Sequence, residues 1–265
     1  MSRKKDFCKL QCLLICKSLH PNIYRKELIS IKKIIRTPFF EVGTKNYIYG
    51  DAVIEMGKHL EKLSLRYDVD IFYNVPYTEI RAVAQTTERL IIFAPYMDVI
   101  RPGRGTGLVL PEAIKSAGAH GVLMNHCERP MTLATIRQTI LRANELDLLS
   151  FACADTIEET KAVAQLHPDI INPEPTERIG SGNASDMSYV LDTIREIKSI
   201  DPNILVEQAA GITRGQQVFD FLMAGSEGAG AGSGIFTNPD PFGISEEMIQ
   251  SVCHAREELK KRTKH

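Results

Sequence analysis

Val42-Gly43-Thr44-Lys45-Asn46-Tyr47 closes the first apolar run of the chain that reads as a buried strand, Phe39–Gly43. A dinucleotide-binding open sheet usually places Gly-x-Gly-x-x-Gly in that turn. Here a single glycine is followed by a polar loop carrying a lysine. Outward from this turn the chain alternates short apolar runs with helical patterns. The remaining strand candidates are Asp70–Tyr73, Leu90–Ala94, Gly121–Met124, Leu149–Cys153, Asp169–Ile171, Ile204–Glu207 and Gly228–Gly232. The helical patterns are Ala52–Leu65, Tyr77–Thr86, Leu110–Ala117, Leu133–Asn144, Ile157–Leu166, Met187–Ile200, Gly215–Met223 and Ser245–Lys261. Strands separated by helices imply a parallel sheet with right-handed crossovers. Eight such units in about 230 residues, without the nucleotide fingerprint, favour a closed α/β barrel of the (β/α)8 type over an open sheet.

The 265 residues are 43% hydrophobic and 25% charged, the balance of an ordinary globular protein. The net charge of −1 sets no overall bias toward nucleic acid or membrane, so neither is expected as a partner. That average hides an asymmetry. Residues 1–33 carry nine Lys/Arg against two Asp/Glu and fall outside the eight units, so they read as a basic N-terminal extension to a barrel at 34–265. No apolar run approaches the roughly 18–20 residues of a membrane span. Lys9, Gln11 and Lys17 interrupt what would be the apolar core of a signal peptide, so a cytoplasmic location is expected. Cys127, Cys153 and Cys253 are scattered singly, as buried reduced thiols are. Cys8, Cys12 and Cys16 repeat every fourth residue, but no partner follows at zinc-finger spacing and no metal site is expected.

In such barrels the reactive side chains come from the C-terminal ends of the strands. The first strand ends at Lys45 and the fourth at Asn125-His126-Cys127-Glu128. The sixth runs into Ile171-Asn172-Pro173-Glu174-Pro175-Thr176-Glu177-Arg178-Ile179-Gly180-Ser181-Gly182, a carboxylate followed by a glycine-hinged loop. That pattern suits a base beneath a closable lid. A lysine after a strand is usually solvated, a lone histidine is usually structural, and a glutamate between prolines is often a turn residue. Three of them on correctly spaced strands point instead to one site. After the seventh strand come Ala209-Ala210-Gly211-Ile212, and after the eighth Gly230-Ala231-Gly232-Ser233-Gly234. Small residues let backbone N–H groups approach an anion, and the loops after the last two strands are the usual phosphate cradle. Tight strand–helix turns would ask for the same glycines.

These segments resemble the triosephosphate isomerase family, most closely its short archaeal-type branch. The resemblance is carried by Thr44-Lys45, Pro102 to Gly107, Leu110-Pro111-Glu112-Ala113, Asn125 to Glu128, Glu174-Pro175 to Gly182, Ala210-Gly211-Ile212 and Gly232-Ser233-Gly234, in order over about residues 39–260. It implies a single-domain TIM barrel that interconverts glyceraldehyde 3-phosphate and dihydroxyacetone phosphate through an enediolate, with no cofactor and no metal. It implies Glu174 as base, a neutral His126 as electrophile beside a helix opening near Pro130, and Lys45 as fixed positive charge. Gly180, Ala210, Gly211, Gly232 and Ser233 would bind phosphate, Glu128 would orient, and Thr176–Ile179 would form the lid tip. Thr106 matches an intersubunit loop and implies a homodimer or homotetramer. The chain departs from the family at Gly43, where asparagine is usual, and at Tyr96 and Glu207, which are expected around the pocket mouth. Those departures leave open another small sugar phosphate, such as a four-carbon ketose phosphate. The basic extension leaves open a catalytically silent phosphosugar-binding protein.

Overall fold

The computed structural model describes residues 32–262. The extension as far as Ile31, with Cys8, Cys12 and Cys16, lies outside the described residues. Lys32 belongs to the barrel body, where its ammonium pairs with Asp169 at 2.7 Å.

Eight parallel strands close on themselves in sequence order. They are β1 (Phe39–Gly43), β2 (Ile71–Asn74), β3 (Ile91–Ala94), β4 (Gly121–Met124), β5 (Leu149–Ala154), β6 (Ile170–Pro173), β7 (Leu205–Gln208) and β8 (Gly228–Ala231). Phe39 registers with Gly228 across the closing β1–β8 pair, and Phe40 with Ile71 on the other side. The connecting helices are α1 (Asp51–Tyr67), α2 (Ile80–Thr86), α3 (Pro111–Ala117), α4 (Leu133–Glu145), α5 (Ile157–Ala164), α6 (Met187–Ile200), α7 (Gly215–Met223), α8 (Ser233–Phe236) and α9 (Pro241–Arg262). Helix α1 shows why the pattern was readable: Val53, Met56, Leu60 and Leu63 recur on one buried face. Thr132 and Thr156 cap α4 and α5 by accepting the backbone N–H groups of Thr135 and Glu159.

Two short pieces were not readable. Residues Ser233–Phe236 form a one-turn helix and Thr176–Arg178 a 3₁₀ turn, both too short for an apolar period to show. Helix α9 begins at Pro241, four residues ahead of the expected start, because proline suits a first helical turn.

The barrel interior is graded from apolar to polar. Because side chains alternate across a strand, Phe39, Phe72, Ile91, Phe93, Leu149, Phe151 and Ile170 fill the lumen nearer the strand N-termini. Phe39 stacks on Phe72 with ring centroids 4.2 Å apart, and Phe93 meets Phe151 edge to face. Phe40, Val42, Ile71 and Tyr73, one residue out of phase, pack under the helices. Two residues further up the inward phase stand Glu41, Asn74, Cys153, Asn172 and Glu207, and β8 presents Gly230. A polar layer therefore separates the aromatic plug from the open rim.

Candidate active site

Lys45, His126 and Glu174 come together at the C-terminal rim and line one cavity. Glu174 follows β6, its N–H held by the Ala154 carbonyl at 2.7 Å, and its carboxylate faces inward. His126 Nε2 lies 3.7 Å from Glu174 Oε2, and the two side chains are about one-tenth exposed. The gap is too long for a direct hydrogen bond. His126 Nδ1 accepts the backbone N–H of Glu128 at 3.1 Å. A backbone N–H can only donate, so Nδ1 carries no proton and the neutral ring presents its N–H on Nε2, toward the cavity. The expected helix start near Pro130 is corrected here. Thr132 caps α4, Pro130 sits in the preceding loop, and the local backbone N–H rather than a helix end sets the tautomer.

Asn125 holds that loop in shape. It adopts a left-handed backbone with φ 58°, its Oδ1 accepts the Met131 N–H at 2.8 Å and its Nδ2 donates to the Cys153 carbonyl at 2.9 Å. Those bonds clamp the turn that carries His126 onto β5. Lys45 also sits at positive φ, 44°, and its Nζ donates to Glu128 Oε1 at 2.8 Å. Burial works against the Lys45 charge, but the Glu128 hydrogen bond and nearby carboxylates outweigh it, so the pKa lies above the ordinary lysine value. Burial likewise opposes the Glu128 charge, and the Lys45 hydrogen bond overcomes it and lowers that pKa. The site thus holds a fixed cation beside a carboxylate and a neutral imidazole.

Gly180, Ala210, Gly211, Gly232 and Ser233 all line the same cavity, opposite His126. Gly211 takes φ +73°, and a side chain there would collide with the Asn183 backbone carbonyl. Only glycine fits. Ser233 opens α8, where backbone N–H groups lack intrahelical acceptors. The segment after Glu174 is tied at its hinge, since Asp155 accepts the Thr176 N–H at 3.0 Å and its hydroxyl at 2.6 Å. Ile179 and Gly180 are part of the cavity lining. Thr106 is not brought to this cavity; it lies in the glycine-rich loop between β3 and α3.

Two expectations about the rim are corrected. Glu207 does not ring the mouth: it is fully buried, sealed under the cavity in the polar layer. Tyr96 does not line the cavity either; its ring lies 3.7 Å beneath the Arg129 guanidinium, and it is Arg129 that reaches the lining. Sequence reasoning also missed Glu41, Asn74, Cys153 and Asn172 in the cavity floor. The signal for Glu41 was available, because Phe39-Phe40-Glu41-Val42-Gly43 places an acid in the same strand phase as Phe39. Asn125 stood in the quoted motif but its clamping role did not show, and Asp155 had no such signal, because it acts through hydrogen bonds to a distant loop. Among the described residues no group of three or more His, Cys, Asp or Glu could hold a metal ion, and no helix is long and apolar enough to cross a membrane.

Comparison with known proteins gives a consistent result. The profile of the triosephosphate isomerase family matches residues 43–243. The triosephosphate isomerase of Sulfurisphaera tokodaii is 35% identical over 226 residues, 83% of this chain and 98% of that protein. That of Sulfolobus acidocaldarius is 33% identical over 228 residues, 84% of this chain and 98% of its own length. That of Methanosarcina mazei is 34% identical over 221 residues, 82% and 99% respectively.

Proposed function

The chain belongs to the triosephosphate isomerase family and is an aldose–ketose isomerase of triose phosphates, and on that premise we propose that Glu174, His126 and Lys45 carry the reaction. Glu174 takes a proton from the carbon next to the carbonyl of dihydroxyacetone phosphate and returns it to the neighbouring carbon, giving glyceraldehyde 3-phosphate. His126 donates from Nε2 to the carbonyl oxygen as charge builds there, then passes the proton between the enediolate oxygens. Lys45 supplies positive charge to the enediolate and the phosphate. Gly180, Ala210, Gly211, Gly232 and Ser233 hold the phosphate through backbone N–H groups, and Thr176–Ile179 close over it to exclude water. No step calls for a metal or cofactor.

One observation carries this assignment. A carboxylate and a proton-bearing imidazole nitrogen face each other at 3.7 Å inside one cavity whose opposite wall is made of small-residue turns. That spacing leaves both groups free for substrate rather than bonded to each other. A coupled assay tests it: Glu174→Ala should lower kcat by about 10²–10⁴-fold, the usual contribution of a positioned general base. Near-normal turnover in that variant would refute the assignment.

The assembly is a homodimer or homotetramer, with Thr106 at the contact, and the enzyme acts in the cytoplasm. The exposed Tyr49, Val99 and Leu108 on the same rim give such a contact apolar surface. Sedimentation of the full chain should show no monomer at micromolar concentration.

A further inference from the structure

Two acids of the polar layer take no part in the proposed proton transfer. β1 places Glu41 and β7 places Glu207, and their carboxyl groups converge where β8 has only Gly230. A methyl group on Gly230 would stand 2.5 Å from Glu207 Oε1 and 2.7 Å from Glu41 Oε2. Glu207 is sealed from solvent, whereas Glu41 lines the cavity.

The pair lies beneath the turn that opens α8. Gly232 follows Gly230 by two residues, and a Cβ on it would meet the Gly43 carbonyl oxygen at 3.0 Å and Lys45 Cε at 3.8 Å. A Cβ on Gly43 would in turn stand 2.9 Å from Glu41 Oε1. Glu41, the Gly43 backbone and the Gly232–Ser233 turn are thus stacked with only glycine backbone between them. A charge on the pair acts through this buried floor, where screening is weak, on any anion the turn holds.

Both oxygens of Glu207 are without a hydrogen-bond partner among the described residues. Two carboxylates that share a buried site cannot both ionise readily. Burial first, then the charge of Glu174, pushes Glu41 up to about 8, and burial and the charge of Glu41 push Glu207 well above the carboxylate range. Neighbouring elements bring little to oppose this. Lys45 after β1 pulls Glu41 down by less than burial and Glu174 raise it. The Cys153 thiol of β5 is itself pushed well up by burial and stays neutral. The strands β2, β3, β4 and β6 supply the uncharged Asn74, Phe93, Leu123 and Asn172.

We infer that Glu41 and Glu207 are positioning residues for the phosphate: the dianion docks against Gly232 and Ser233 only while the carboxyl pair beneath them keeps its protons. The inference rests on the phosphate cradle assigned above. Docking in alkaline solution then moves a proton from solvent onto one carboxylate oxygen of the pair, and no covalent bond of the ligand changes. The coupling is reciprocal, so a bound anion holds the proton on the pair as firmly as an ionised pair repels the anion.

Calorimetric titration of the full chain with glycerol 3-phosphate, in two buffers of different ionisation enthalpy, reads affinity and proton uptake together. This unreactive monoester is already a dianion above about pH 7.5. Between about pH 7.5 and about pH 9.5 wild-type affinity should fall on the order of tenfold, with net proton uptake near about pH 9. Lys45 keeps its charge in that range, since its pKa lies above the ordinary lysine value. Glu41→Gln/Glu207→Gln, neutral at every pH, should bind with little pH dependence and take up no proton. Steady-state kinetics on dihydroxyacetone phosphate should put the wild-type alkaline change in KM, with kcat moving within about twofold. Wild-type binding that stays level with pH, or proton uptake unchanged in the double variant, would overturn the inference. No binding of glycerol 3-phosphate at any pH would sink the cradle assignment and the inference with it. If the double variant does not fold, the two single Gln variants are read, and uptake unchanged in both overturns the inference.

Discussion

An imidazole has two nitrogens, and which one bears the proton decides whether His126 can donate to a substrate oxygen. The Glu128 N–H fills Nδ1, so the proton sits on Nε2, where the proposed reaction needs it. Replacing His126 by Gln should lower kcat about 10²–10⁴-fold with little change in thermal stability, measured by coupled assay and melting. Asn125 acts one step removed, through the turn it clamps between β4 and β5. Its replacement by Ala should lower kcat roughly tenfold, because small misplacements of a reacting group are costly, while substrate affinity is largely kept. At this scale the sequence showed Lys45, His126 and Glu174, each a polar residue directly after an apolar run. It did not show what Nδ1 faces, and the helix end near Pro130 proved to be the wrong neighbour.

Among elements, the segment after β6 and the turn after β7 set how the proposed lid and phosphate wall behave. Asp155, from the end of β5, holds Thr176 by two hydrogen bonds and so fixes where the Glu174 segment leaves the barrel. Without that tie, Asp155→Ala should raise KM and lower kcat together, as hinge changes do, in steady-state kinetics on triose phosphate. Gly211 stands under a different constraint, a positive φ and the Asn183 carbonyl against it. Gly211→Ala should cost more than about 1 kcal/mol of stability and weaken inhibition by inorganic phosphate. Element order and type were legible from apolar periodicity, and the strand positions match closely. The one-turn helix at Ser233 and the Thr176 turn were not, because pieces of three or four residues carry no period.

Across the whole molecule, the barrel pairs an aromatic plug with a buried acid layer, and the two respond differently to perturbation. Phe72 lies in the plug between Phe39 and Phe93, fully buried, so Phe72→Ala should cost about 3–5 kcal/mol in denaturant unfolding. Glu41 shifts from an ordinary 4.5 to about 8 on folding, and Glu207 shifts in the same direction. Between those values the folded chain holds protons that the unfolded chain has released, so unfolding releases protons and stability falls as pH rises. The melting temperature should therefore decline from about pH 4.5 to 8. The double variant Glu41→Gln/Glu207→Gln should flatten that slope, since amides do not titrate.

What the sequence alone determined is the order of strands and helices, and it offered Lys45, His126 and Glu174 as candidate residues after the first, fourth and sixth strands. Both follow from local alternation, from glycine placement and from the family pattern of short motifs. Only the closed tertiary structure decided that Glu207 lies under the cavity rather than at its mouth, that Glu41 meets it over Gly230, and that Arg129 rather than Tyr96 reaches the lining. The reason is the phase and tilt of strands in a closed barrel. They stack side chains from β1, β7 and β8 into one layer, although β1 lies more than 160 residues from the other two along the chain.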